Sequence, residues 1–409
     1  MSFTTLGLAP ALLHAIREQG YQAPTAIQQA AIPAVLRGGD VLALAQTGSG
    51  KTAAFALPLL QRLMNSSARE PRALILAPTR ELAQQTAEVL REFARHLPQR
   101  LKIALAFGGV SINPQLMGLR GGCDVMVATP GRLLDLIDHK GLSLTKVELL
   151  VLDEADRLLD LGFAEELNRI LALLPARRQN LLFSATFAPK VEALAAGLLN
   201  APERIEIAPE PQRADAIQQR AIHVDEAKRT PLLRHLLQTE AWASALVFVA
   251  TKYATEHVSD KLWAADIKAA ALHGELSQGG RTRVLMALKT GEIQVLVATD
   301  VAARGLDIPE LAAVVNYDLP RAAAEYTHRI GRTGRAGASG VAVSFIPAAS
   351  EGHFRLIEKR QGRRVDREQV IGFEATEVAT ETQATGGIKG HRKSKKDKLR
   401  EAAAAQAAR

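Results

Sequence analysis

The sequence predicts an α/β protein of two doubly wound, parallel-sheet domains in tandem. Three observations carry that prediction. Short, uninterrupted apolar runs recur along the chain; stretches with apolar residues at helical spacing separate them; and the rhythm breaks once, past the middle, and then restarts. The length agrees, because 409 residues exceed what a single hydrophobic core usually organises.

The first series of strands is read at 41–45, 73–77, 125–128, 149–152 and 181–183. Each run is apolar along its whole length, as strands covered on both faces are. Segments such as 81–96 place apolar residues three and four apart, so helices connect the strands. Residues 208–219 (APEPQRADAIQQ) are rich in proline and polar side chains without periodicity, and they read as a linker. Strands resume at 245–249, 269–272, 295–298, 314–316 and 341–346. The expected division is therefore an N-terminal domain over 1–207, a linker over 208–219 and a C-terminal domain over 220–370. Residues 371–409 hold too little apolar content for a core and read as a disordered, flexible basic tail.

Composition excludes several classes. With 47% hydrophobic and 23% charged residues, and a mean hydropathy of +0.00, the chain is neither fibrous nor disordered. No apolar run approaches the roughly 18 residues of a membrane span, and the N-terminus lacks a signal peptide's layout. A cytoplasmic monomer without membrane contact is expected. The single cysteine, Cys123, excludes an internal disulfide and any multi-cysteine zinc site, and it reads as a small buried filler. The formal charge is +8, but residues 386–409 hold eight Lys or Arg against two acids and contribute +6 of it, leaving +2 for the body. Such a tail suits an anionic polymer as partner, whereas the body must grip that partner through local patches.

The motifs supply the chemistry. AQTGSGKT (45–52) follows an apolar strand and precedes an apolar helix, the setting of a phosphate-binding loop. Gly48 and Gly50 let backbone N–H groups curl around phosphate oxygens, with Gln46, Thr47 and Ser49 completing the loop. Lys51 is placed to neutralise the β- and γ-phosphates, and the Thr52 hydroxyl to ligate Mg²⁺. Ala45 stands where the strict pattern has glycine. In VELLVLDEAD, Asp153 ends an apolar strand and suits a magnesium carboxylate, while Glu154 is positioned to orient or deprotonate an attacking water. HRIGRTGR (328–335) interleaves arginines with Gly331 and Gly334, so guanidinium forks could meet phosphate across a cleft. Aromatic residues are only 4% of the chain, which argues against RNA or DNA binding on an aromatic platform.

On these residues the chain resembles the DEAD-box ATP-dependent RNA helicases of superfamily 2, from Phe3 to about residue 360. Its length and short tail suggest the bacterial RhlE-like subgroup. Phe3, Gly20, Tyr21, Pro24, Thr25 and Gln28 resemble the adenine-reading Q motif, which implies that Gln28 bonds the base and that an aromatic, Phe3 or Tyr21, packs on it. PTRELAQQ (78–85), Gly108 with Gly109, and TPGRLLD (129–135) resemble the first-domain RNA motifs, implying RNA contacts at Arg80, Gly109, Thr129 and Arg132. SAT (184–186) resembles the coupling motif. It implies that Ser184 and Thr186 link Asp156 to His328, with Arg329 helping to join the domains. HGELSQGGR (273–281) and ATDVAARGLD (298–307) imply RNA contacts at Thr299 and Asp300 with support from Gln278 and Arg281, and a ribose contact at Asp307. Arg332 and Arg335 correspond to the phosphate-contacting arginines.

The resemblance thus implies an enzyme that uses ATP and Mg²⁺, holds single-stranded RNA by its backbone and opens short duplexes locally. Candidate partners are ribosomal or degradation-machinery proteins. An ATP-gated RNA clamp with little unwinding and a DNA-directed translocase of the same superfamily are the alternatives. The 389–400 segment is expected to tether structured RNA electrostatically.

Overall fold

The computed structural model describes residues 2–46, 48–64, 70–207, 217–303, 311–334 and 340–377. Expectations that fall on 208–216, on the tail from 378 onward, and on Thr47, Asp307 and Arg335 lie outside the described residues. The described chain forms two compact units, and it passes from one to the other between Ile207 and Ile217.

Unit 1 is a seven-stranded sheet: β1 (Val41–Leu44), β2 (Ala73–Leu76), β3 (Ile103–Ala106), β4 (Val125–Ala128), β5 (Leu149–Leu152), β6 (Gln179–Ser184) and β7 (Glu203–Glu206). The order is β3-β4-β2-β5-β6-β1-β7, and every pairing is parallel. Strand side chains alternate between two cores. Val41, Ala43, Ile75, Val127 and Val151 pack on one face, and Leu42, Leu74, Met126, Leu150 and Leu152 on the other. Both faces are roofed by helices, which is why the runs are apolar without alternation. Cys123 lies in the second core, and burial pushes its thiol up to about 12, so it is inert filler.

Unit 2 repeats the plan with β8 (Ile217–His223), β9 (Ala245–Phe248), β10 (Ala269–Leu272), β11 (Val295–Ala298), β12 (Ala313–Asn316), β13 (Gly340–Ile346) and β14 (Arg367–Glu368). Its order is β10-β11-β9-β12-β13-β8-β14, again all parallel.

Two expectations need correction. The segment read as linker gives up its last three residues, Ile217–Gln219, to β8, which pairs with β13 from Ile217↔Gly340 onward. Its polar residues hid the strand, although Ile217, Ala221 and Ile222 are buried in it. The segment read as the start of a flexible tail is also tied down. Asp225 accepts from Thr376 N at 2.9 Å, Thr376 Oγ1 at 2.9 Å and Glu377 N at 2.9 Å, and Phe373 packs on the His235 ring at 5.2 Å. A carboxylate accepting several N–H and O–H bonds holds its proton poorly, and Asp225 titrates below its ordinary value for that reason. Among the described residues, no helix is long and apolar enough to cross a membrane.

Candidate functional site

In a parallel sheet the loops after the strands share one edge, where ligand groups collect. Unit 1 divides that edge. The loops after β1, β5 and β6, neighbours in the sheet, carry the phosphate loop, the Asp153 pair and SAT; those after β3, β4 and β2 carry Gly109, Thr129 and Arg80.

The phosphate loop joins β1 to helix Lys51–Leu63. Gly48 and Gly50 have φ of 81° and 94°, a left-handed conformation that glycine adopts without strain. Gly50 has a second constraint, because a Cβ there would lie 2.5 Å from Gln28 Nε2. Ser49 Oγ donates to Gln46 O at 2.7 Å, bracing the turn. Lys51 is buried, and its Nζ donates to Ala45 O at 2.7 Å.

Gln28 connects two motifs. Its Nε2 donates to Gly50 O at 3.2 Å, and its Oε1 accepts from Thr25 N at 3.0 Å, closing a capping box on helix Ala26–Leu36. At 1% exposure it offers no edge to a base in this conformation. Adenine contact requires its amide to exchange partners. Phe3 is likewise buried, and it meets Tyr21 edge-on at 6.2 Å. The ring available to a ligand is therefore Tyr21, which with Gln19, Thr52, Gln85, Glu88 and Phe93 lines a cavity of about 320 Å³.

Asp153 ends β5 at 2% exposure, and its Oδ2 has no hydrogen-bond partner. Burial, with the neighbouring Glu154 charge adding and Lys51 opposing, pushes its carboxyl up to about 7. An orphaned, buried carboxylate oxygen beside a glycine-cradled loop fits a divalent cation, which would restore the ionised form. Glu154 is held at φ 50°, ψ 56°, a left-handed conformation costing about 1–3 kcal/mol for a non-glycine residue. Arg157 Nη1 donates to Glu154 Oε2 at 2.6 Å and fixes its carboxylate. Sequence reasoning missed Arg157, although its place one turn after Glu154 was the available signal.

Since β5 and β6 are adjacent, SAT meets the Asp153 turn directly. Asp156 Oδ2 accepts from Thr186 N at 3.0 Å and Thr186 Oγ1 at 2.9 Å, and Ser184 Oγ donates to Thr186 O at 2.8 Å. These bonds tie the SAT turn to the helix that follows Asp153 and Glu154.

On the other half of the edge, Gly109 has φ 74°, and a Cβ there would lie 2.0 Å from Arg80 Nη2. The guanidinium lies flat on the glycine. Arg132 is buried, and its Nη2 donates to Val110 O at 2.7 Å. It therefore holds the Gly108–Gly109 loop from beneath, while Thr129 starts its helix, Pro130–Asp138.

In unit 2, Ser277 caps helix Gln278–Lys289 through Gly280 N at 3.1 Å, and Arg281 Nη2 donates to Ala302 O at 3.3 Å. That bond ties the helix to the turn bearing Thr299 and Asp300. Arg329, expected to help join the domains, is engaged within unit 2. At 3% exposure, its Nε and Nη2 donate to the two Asp300 oxygens at 2.6 Å each. Its Nη1 donates to Asn316 Oδ1 at 3.0 Å and Asp318 O at 2.6 Å, and the guanidinium lies 4.7 Å from the Phe248 ring. The group is consumed within its own unit. Asp300 is thereby positioned by Arg329, with both oxygens accepting. His328 lies on helix Ala323–Ile330, and Arg332 follows it, half-buried.

Two parallel sheets in tandem, the first with a phosphate loop, an acidic strand end and a SAT turn bonded to Asp156, define a protein of the tandem RecA-like class. The family models agree: residues 25–194 match "DEAD/DEAH box helicase" and 228–337 match "Helicase conserved C-terminal domain". The chain belongs to the DEAD/DEAH box helicase family. It is 44% identical over 358 residues to the ATP-dependent RNA helicase DeaD of Mycobacterium tuberculosis, an alignment covering 88% of this chain and 63% of that protein. It is 41% identical to the DEAD-box ATP-dependent RNA helicase CshA of Bacillus cereus, covering 90% and 69%. The chain thus spans less than two thirds of the mycobacterial relative. Among solved structures, Saccharomyces cerevisiae Dbp5 bound to RNA and ADP BeF3 is 37% identical with a TM-score of 0.79, covering 90% of this chain and 95% of that one.

Proposed function

We propose that the chain is an RNA-stimulated ATPase that locally separates short RNA duplexes, acting as a cytoplasmic monomer. The observation that carries the nucleotide reading is the orphaned Oδ2 of buried Asp153 beside the glycine-cradled phosphate loop. RNA as the polymer is supported by the names of the relatives and by the RNA held in the yeast neighbour.

In this reading Gly48, Gly50 and Lys51 hold the triphosphate, Thr52 and Asp153 hold Mg²⁺, and Tyr21 and Gln28 receive the adenine. Bound Mg²⁺ would supply positive charge that offsets the charge developing on the phosphate oxygens. Lys51 must leave the Ala45 carbonyl to reach phosphate. Glu154, fixed by Arg157, accepts a proton from the attacking water. Asp307, Arg332 and Arg335 are assigned the remaining nucleotide contacts, and Asp156, Thr186 and His328 couple the nucleotide site to RNA. RNA is gripped by backbone contacts from Arg80, Gly109, Thr129 and the Thr299 turn, with Arg132, Gln278 and Arg281 supporting.

The test is steady-state ATP hydrolysis with RNA or DNA of equal sequence, together with displacement of a short RNA duplex. Strong stimulation by RNA alone, with strand release, is expected. Equal stimulation by DNA would favour a translocase, and stimulation without release would favour a clamp.

A further inference from the structure

Unit 2 carries an exposed aromatic pair that none of the motifs explains. Tyr253 is 73% exposed and stacks on His257, with ring centroids 5.6 Å apart and planes 14° apart. Tyr253 lies in the first turn of helix Lys252–Trp263 and His257 one turn on, and their spacing of four residues puts them on one helical face. A large exposed ring is uninformative on an arbitrary surface, but this one stands where the sheet presents its ligand groups.

The topology makes that position specific. Strands β10, β11 and β9 are adjacent and parallel, so the turns that follow them share one edge. The helix bearing Tyr253 follows β9, and Thr299 follows β11. His273 and Glu275 follow β10 and lead into Gln278 and Arg281. Two contacts fasten the helix to that turn: the ion pair of Lys252 with Glu275, and the approach of His273 Nε2 to Glu256 Oε1 at 3.3 Å. Arg281 continues the line to Ala302, beside Thr299. The helix that bears Tyr253 is therefore joined through consecutive contacts to the elements that carry the residues proposed to face RNA.

The patch's lysine is already paired with Glu275, so the patch adds little attraction for phosphate. What it offers is the open face of a ring whose other face is backed by His257. A nucleobase fits that surface, because every base presents a flat π-face and stacks without regard to sequence. We infer that Tyr253, supported by His257, is a stacking site for one base of the RNA strand held along unit 2. This inference rests on the RNA reading above. It adds a base contact to a backbone grip, which a chain poor in aromatics can make with one well-placed ring.

The experiment compares the full chain with Tyr253→Ala, using fluorescence anisotropy of a labelled single-stranded RNA in the presence of a non-hydrolysable ATP analogue. The variant is expected to bind about tenfold more weakly, with an unchanged slope of log K against log salt, because no phosphate contact is lost. Tyr253→Trp should retain wild-type affinity. On a fully abasic oligomer, wild type and Tyr253→Ala should bind alike. Equal affinities for normal RNA would overturn the stacking site, as would a weakened slope or a loss that persists on the abasic strand. A wild-type chain that binds no RNA at all would overturn the RNA reading itself, and this inference with it.

Discussion

Asp153→Asn is expected to abolish nucleotide hydrolysis and, at the same time, to stabilise the nucleotide-free protein above neutral pH. The carboxyl is buried with one oxygen unpartnered, and it titrates near 7 instead of its ordinary 3.8. A carboxyl whose folded value is raised contributes stability that is complete below the unfolded value and is lost as pH rises through the folded one. Between about pH 4 and pH 7 the unfolded chain gives up this proton while the fold retains it, so stability declines across that window. At 1.36 kcal/mol per pH unit the loss could reach about 4 kcal/mol. Asparagine keeps the shape and carries no charge to desolvate. Urea unfolding of wild type and variant at pH 5 and pH 8, without nucleotide or magnesium, checks this. The variant should be the more stable at pH 8, by a margin that shrinks at pH 5. A variant less stable at pH 8 would mean that the carboxylate is satisfied in the free protein and is not poised for a cation.

The second large effect is expected at Arg329. Alanine there leaves the Asp300 carboxylate, Asn316 Oδ1 and the Asp318 carbonyl without their donor. Breaking a buried, hydrogen-bonded charge pair from one side costs about 3–5 kcal/mol. In a unit of this size that corresponds to a fall on the order of 10 °C in Tm. Lysine should not rescue it, because one ammonium cannot reproduce a fork that engages both Asp300 oxygens and two further acceptors. Differential scanning calorimetry should show the transition of unit 2 lowered and that of unit 1 unmoved. If Arg329→Ala leaves Tm intact but removes RNA stimulation, Arg329 joins the units and the internal role assigned here is wrong.

The linear motifs and the central strands were legible in the sequence because each is written in consecutive residues. β1, β2, β4, β5, β9 and β11 are apolar on both faces and announce themselves. The strands missed at this stage are β3, β7, β8 and β14, which lie at or next to a sheet edge. In β7 only Ile205 is buried, and β14 is two residues long, so neither makes an apolar run. Long-range pairings were not legible either. Nothing local says that Gln28 bonds the Gly50 carbonyl, that Asp225 captures Thr376, or that Arg329 is enclosed by Asp300 and Asn316. The family resemblance named Gln28, Gly50, Asp300 and Arg329, but it carried no information on which of them bond to one another within a unit.

The groups of unit 1 are expected to hold and orient a nucleotide without hydrolysing it by themselves. Among the described residues, both cores of unit 1 lie between Phe3 and Ile207, so a fragment ending at Ile207 keeps those cores. The direct measurement is the rate of ATP hydrolysis by that fragment and by the full chain, each with and without RNA. The fragment should bind ATP yet turn over negligibly and ignore RNA, beside a full chain that RNA accelerates. A fragment as fast as the full chain, with or without RNA, would contradict that expectation.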